Sequence, residues 1–331
     1  MQSATQFQST PPTRSASTVA NYEQHYRRLM DRLAGETGVE DPTPSEIVAY
    51  LMMRRPEMAM ATWRFNKAAA TFVIETQYPG HHEALEQLAQ YGSSGLPRTS
   101  ANTAGRKRKH VPKQDWDEIR HVIERRIAAG HKHAAALLAV LEGTLLAGLR
   151  PIEWSFSKLT THAEDGRPVL QVRNAKHSNG RANGAIREMY VDELDEAERA
   201  TLARALAACA AETDEEAQRI KLALKHEFEA CRAMAVAGTR KEQSSVTMYS
   251  FRHQFIADAK LTFETPLLLS ATVGHKSTKT AFEHYGKRRH GRGKIRVFPT
   301  AETVAAVQSV TLETYRSYLA ARQGGRVPRL R

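Results

Sequence analysis

Two cysteines in 331 residues are too few for a disulfide framework. Cys209 and Cys231 both fall in alanine-rich helical pattern, where a thiol serves as a small packed side chain in a reducing cytoplasm. Long apolar runs are also missing. No stretch approaches the roughly 20 residues that a membrane-spanning helix needs, so no membrane association is expected. The first residues, rich in Gln, Ser and Thr, lack the hydrophobic centre of a secretory signal. The histidines show no Cys/His ligand register. His131-Lys132-His133 has the wrong spacing for two ligands one helical turn apart and reads as a solvated turn, so no metal site is expected. No internal repeat is found and no glycine-rich phosphate loop, so no nucleotide cofactor is expected. Acidic residues are absent from 92–112, which instead carries Arg98, Arg106, Lys107, Arg108 and Lys109 among Gly, Ser, Pro and Thr.

What is present is a basic chain of ordinary apolar content. Lysine and arginine number 48 against 36 acids, a formal net charge of +12. Clustered positive charge of this size points to a polyanionic partner, most economically nucleic acid. The 331 residues suffice for two domains, each with its own core.

Residues 1–16 read as a disordered tail and 17–92 as a small all-α domain. In the latter, apolar residues of helical period begin near Ser17, and Thr43-Pro44-Ser45-Glu46 is a capping box with proline in the first turn. Further helices are expected at 60–74 and 82–91. The basic stretch 93–112 reads as a linker, either a solvated connector or one threaded along phosphates. A second domain, 113–299, opens with helices at 115–129 and 134–147, the latter apolar all round and therefore central to a core. The period then drops to two, predicting strands at 156–161, 169–174 and 186–191. Helices follow at 195–211 and 215–235, then three carrying the 249–253, 267–273 and 285 segments. Residues 300–331 form a C-terminal piece with an amphipathic helix over 303–321 and a basic end. The fold class is thus mainly α with a small antiparallel β-sheet.

Three short boxes stand out because each follows an apolar segment: Gly148-Leu149-Arg150 with Glu153, Tyr249-Ser250-Phe251-Arg252-His253, and Gly274-His275-Lys276-Ser277 leading to His284-Tyr285-Gly286. Two permanently charged guanidiniums plus a phenol suit covalent phosphoryl transfer on a nucleic-acid backbone. In order and content the boxes resemble those of the tyrosine recombinases, or phage-type integrases, and the resemblance runs over nearly the whole chain.

The resemblance implies a helical core-binding domain and an α+β catalytic domain that clamp double-stranded DNA. Arg150 and Arg252 would hold the scissile phosphate, with Glu153 supporting the local structure. His275 would donate a hydrogen bond to it, with His253 as a buttress. Lys176, in the hairpin after the second strand, would protonate the leaving 5′ oxygen. Arg173, Arg181 and Arg187 are nearby competitors without a titratable ammonium. Tyr285 would be the nucleophile, forming a 3′-phosphotyrosyl link that conserves bond energy without ATP or metal. DNA contacts would come from Arg98, Arg106, Lys107, Arg108 and Lys109, and from Lys287, Arg288 and Arg289 beyond the nucleophile. The implied activity is site-specific strand exchange for integration or excision of a mobile element, by a homotetramer on two duplexes in the cytoplasm.

Two departures from the family pattern matter. Tyr249 occupies the place, three residues before Arg252, where the family usually has histidine. A phenol donates well but accepts protons poorly at neutral pH, which leaves the general base open. Tyr285 also stands one residue later after His275 than is usual, a rotation of about 100° on a helix. Two other readings therefore remain: a type IB topoisomerase-like relaxase, and a catalytically inactive DNA-binding relative.

Overall fold

The structure, a computed structural model, describes residue 14 and residues 16–97, 107–175, 177, 182–236, 246–278 and 287–307. Within them the protein is mainly α-helical with one small antiparallel sheet, the fold class read from the sequence. Its contacts divide the chain into two units, Met1–Gly105 and Arg106–Arg331.

The first unit contains α1 (Ala16–Thr37), α2 (Pro44–Arg54), α3 (Met60–Gln77) and α4 (His82–Gln90). Helix α2 starts where the sequence signals it. The Thr43 hydroxyl accepts from the Glu46 amide at 3.4 Å, and the Glu46 carboxylate accepts from the Thr43 amide at 2.8 Å. One face of each helix turns inward, so that Leu33, Ile47, Leu51, Trp63, Ile74 and Leu88 are buried together. The strand-free chain after α4 returns to α3, where the Met60 amide donates to the Pro97 carbonyl at 3.0 Å.

In the second unit, α6 (Ala134–Ala147) is apolar all round because α5 (Lys113–Ala128), α7 (Glu196–Cys209), α8 (Asp214–Val236) and α9 (Met248–Thr262) all pack on it. Cys209 and Cys231 are free and buried here, and burial pushes their thiols up to about 12 and about 11. The sheet runs β1 (Ser157–Thr161), β2 (Pro168–Arg173), β3 (Ile186–Tyr190), β4 (Phe298–Pro299), in that order and antiparallel throughout. Strand β4 was not expected: two residues carry no readable period, and only pairing of Tyr190 with Phe298 and of Met189 with Pro299 makes them a strand. Helix α10 (Pro266–Thr272) follows α9.

The C-terminal piece differs from expectation in its opening. Helix α11 (Ala301–Ala305) begins earlier than 303, because Thr300 accepts from the Thr303 amide and so caps it, and it has already ended in a turn at Ala306. The rest of the expected 303–321 helix lies outside the described residues, as does the 1–13 part of the tail. Among the described residues, no helix is long and apolar enough to cross a membrane.

The junction of α6 with α9 generates a stability prediction. Gly148 ends α6 at φ +67°, and a Cβ there would meet Phe255 Cε1 at 2.5 Å. Gly166 has a similar φ of +69° but open space around it. Gly148→Ala should therefore cost about 2–5 kcal/mol in denaturant unfolding, from backbone strain plus overpacking. Gly166→Ala should cost only the strain, about 1–2 kcal/mol. Equal costs would show that the Phe255 contact does not constrain the junction.

Candidate active site

The left-handed turn at Gly148 redirects the chain as α6 ends, and Leu149 then anchors it in the core. Arg150 follows, buried rather than on the surface. Pro151 cannot continue a helix, and the next residues form a short turn that closes on itself. The Glu153 amide donates to the Arg150 carbonyl at 2.9 Å, and the Arg150 amide donates to Glu153 Oε2 at 2.8 Å. Arg150 Nη1 also bonds Glu153 Oε1. The i, i+3 spacing of the first box is thus the spacing of a self-paired turn.

Glu153 is the hub of the cluster. Besides Arg150, its carboxylate receives Arg187 Nη2 at 2.9 Å and the Ala175 amide at 3.3 Å, and Arg252 Nη1 lies 3.6 Å away. Burial by itself would raise the Glu153 carboxyl. The guanidiniums of Arg187, Arg150 and Arg252 together outweigh it and hold the group well below the usual carboxylate range. Among the described residues, three cations around one anion leave an excess of two positive charges (three minus one) in a pocket largely shielded from water.

Arg252 arrives from α9 and is fully buried. Its guanidinium bonds the Gly148 carbonyl and, at 2.6 Å, the Val273 carbonyl. It therefore ties the end of α6 to the turn after α10. That turn is left-handed at Gly274 (φ +67°) and brings His275 inward, its amide bonded to the Ser270 carbonyl at 2.9 Å. Burial pushes the His275 imidazole well below its ordinary range, and Arg252, Arg150 and Arg187 push it further. His275 is therefore neutral at neutral pH. Arg150, Glu153, Arg252 and His275, from three distant boxes, meet in one place.

The other expected residues are placed less centrally. His253, next to Arg252, is pushed down to about 4 by burial, then by Lys109, Arg252 and Lys260. Tyr249 is partly exposed, its ring 6.1 Å from that of His253. Lys107, Arg108 and Lys109 are exposed, but their backbone is docked: the Ser250 hydroxyl donates to the Arg108 carbonyl at 2.7 Å. Lys287, Arg288 and Arg289 are exposed as well. The His110 and His290 rings stack 4.1 Å apart, which brings these two basic stretches side by side. Lys176, Tyr285, Arg98 and Arg106 lie outside the described residues. Among the described residues, no group of three His, Cys, Asp or Glu side chains could hold a metal ion.

Arg187 is the residue whose place sequence reasoning missed. Weighed in the sequence only as a competitor of Lys176, it is 1% exposed inside the cluster. Its competitor Arg173 does sit at the surface, over the Phe156 ring at 4.5 Å; Arg181 lies outside the described residues. A signal was available, since at period two Arg187 shares a face with Met189 and Val191, both buried, while Ile186 is 53% exposed.

No family model matches this chain, and no curated protein matches it. Among solved structures, it is similar to a protelomerase TelA mutant complexed with a DNA hairpin product, at 12% identity and a TM-score of 0.44, covering 94% of this chain and 99% of that one.

The buried charges make a stability prediction with a definite sign. Glu153 titrates lower when folded, so its contribution is complete above the unfolded carboxyl value and is lost as pH falls through the folded one. His275 is also lowered, so the unfolded chain takes up its proton first, and stability falls as pH drops below 6.5. Glu153→Gln, which leaves three buried guanidiniums unbalanced, should cost about 3–5 kcal/mol at pH 7 by denaturant unfolding. His275→Gln should flatten the decline below pH 6.5. A Glu153→Gln protein as stable as the original would show that the cluster does not depend on the carboxylate.

Proposed function

We propose that this protein is a site-specific DNA strand-exchange enzyme of the tyrosine recombinase type. The observation that carries the reading is the convergence of Arg150, Arg252 and His275 in a buried pocket with excess positive charge. A phosphodiester brings one negative charge, and its pentavalent transition state carries about one more. A pre-organised excess of two cations suits that transition state better than the ground state, which is the condition for catalysis.

In this reading, each unit contacts duplex DNA and the basic stretches at 107–109 and 287–289 follow its backbone. The Tyr285 oxygen attacks the phosphorus held by Arg150 and Arg252, and the bond from phosphorus to the 5′ oxygen breaks. Lys176 gives its proton to that oxygen, which leaves as a hydroxyl. The 3′-phosphotyrosyl link is then attacked by the 5′ hydroxyl of a partner strand, which restores the phosphodiester and releases the phenol. His275, being neutral, donates one hydrogen bond without adding charge. Tyr249 stands where the family usually has a histidine, so the phenol gives its proton to water as the cationic pocket favours phenolate. On rejoining, the departing phenolate takes one back from water while the attacking 5′ hydroxyl returns its proton to Lys176. Pairing of two sites by four protomers would serve integration or excision of a mobile element.

A nicked suicide substrate tests this reading, because a short 5′ fragment diffuses away and traps the covalent intermediate. The original protein should form a protein–DNA adduct stable in detergent. Tyr285→Phe should abolish it while binding DNA normally. Arg150→Gln should slow it about 10²- to 10³-fold. Adduct formation by Tyr285→Phe would remove Tyr285 as the nucleophile, and a salt-sensitive gel shift without any adduct would leave a DNA-binding protein.

A further inference from the structure

We infer that Arg187 is a positioning residue for this reaction, setting the Gly274–His275 turn against the Arg150–Glu153 turn. The inference rests on the site reading above, but its physical basis is separate. Each of the three guanidinium nitrogens engages a different segment of the chain. Nε donates to the Thr272 carbonyl at 3.0 Å, Nη1 bonds Asn174 Oδ1, and Nη2 donates to Glu153 Oε2 at 2.9 Å. With all three nitrogens bonded to protein acceptors, Arg187 is assigned to holding these segments together, while Arg150 and Arg252 keep the phosphate role of the site reading.

Its position makes it effective as a spacer. Strand β3 is held on both sides, by β2 and by β4, so the Cα of Arg187 is fixed by the sheet. The Thr272 carbonyl lies at the C-terminus of α10, where helix carbonyls lack intrahelical partners. Two residues later the chain turns at Gly274, directly against Arg187: a Cβ there would stand 2.8 Å from Nη1. Asn174, the third acceptor, is itself braced by bonds to Asn183 at 3.1 Å and the Gly184 carbonyl at 2.9 Å. A planar fork can span three acceptors lying in different directions, and a lysine ammonium on a flexible stem cannot match that geometry.

The consequence is that geometry, not charge alone, should matter at 187. The experiment measures single-turnover adduct formation on the nicked substrate, equilibrium DNA binding and melting temperature for Arg187→Gln, Arg187→Lys and Asn174→Ala. Arg187→Gln should lower the adduct rate about a hundredfold, the scale expected for misplacement of reacting groups by about 1 Å. DNA affinity should change less than about threefold, because backbone contacts lie elsewhere. Arg187→Lys should recover less than about tenfold of that loss.

The pH profile separates the two parts of the role. Removing the cation beside Glu153 and His275 raises both groups, with Arg150 and Arg252 still facing them, so the acid limb of the rate should move to higher pH in Arg187→Gln. In Arg187→Lys, which keeps the charge, the limb should stay in place under a lowered plateau.

Adduct formation by Arg187→Gln within about threefold of the original, at a temperature where both are folded, would overturn the inference. So would a parallel loss of rate and affinity, the signature of a direct phosphate contact. If Arg187→Gln does not fold, Asn174→Ala carries the same expectations for rate and affinity, and, with the guanidinium kept, its acid limb should stay in place as in Arg187→Lys. If the original protein forms no adduct, the site reading fails, and amide hydrogen exchange decides the positioning claim on its own. The His275 amide should then exchange about tenfold or more faster in Arg187→Gln, and unchanged protection would refute it.

Discussion

A carboxylate with almost no access to water organises the second unit. Glu153 would be costly to bury alone, and so would each guanidinium that surrounds it. Brought together they offset one another, and each arginine comes from a different element: Arg150 from the turn after α6, Arg187 from β3, Arg252 from α9. The contacts that assemble the pocket therefore also join the sheet to the helices. The same carboxylate that balances the cluster leaves it two charges short of neutrality, which suits a phosphate transition state in the proposed function.

Two glycines let backbones come close enough for this to happen. At Gly148 the left-handed turn lets α6 end against the Phe255 ring, within reach of Arg252. At Gly274 a second left-handed turn sits directly on Asn174 and Arg187. In both places a side chain would push apart the segments that carry the charged groups. Backbone carbonyls at 148, 272 and 273 then complete the coordination of Arg252 and Arg187. The pocket is thus built as much from turn carbonyls as from side chains.

Much of this was legible in advance where a signal is local. The capping box at Thr43, the all-apolar α6 and the three strands are written in neighbouring residues, and the box residues Arg150, Glu153, Arg252 and His275 meet in space. Strand β4 was not legible, because two residues become a strand only when β3 is beside them. The early start of α11 depends on which threonine caps it, and both Thr300 and Thr303 can do so in principle. Arg187 was weighed only as a competitor of Lys176, and its place in the cluster depends on acceptors up to 85 residues away in sequence.

Local chemistry and periodicity, then, determined the kinds of element, their order, the basic character of the chain and the residue types of the buried cluster. Tertiary structure alone decided which cation points at which acceptor. The reason is energetic. A helix or strand is favoured by interactions among residues a few positions apart, whereas the direction and protonation of a buried charge depend on every dipole and ion within a few ångströms, whatever their distance along the chain.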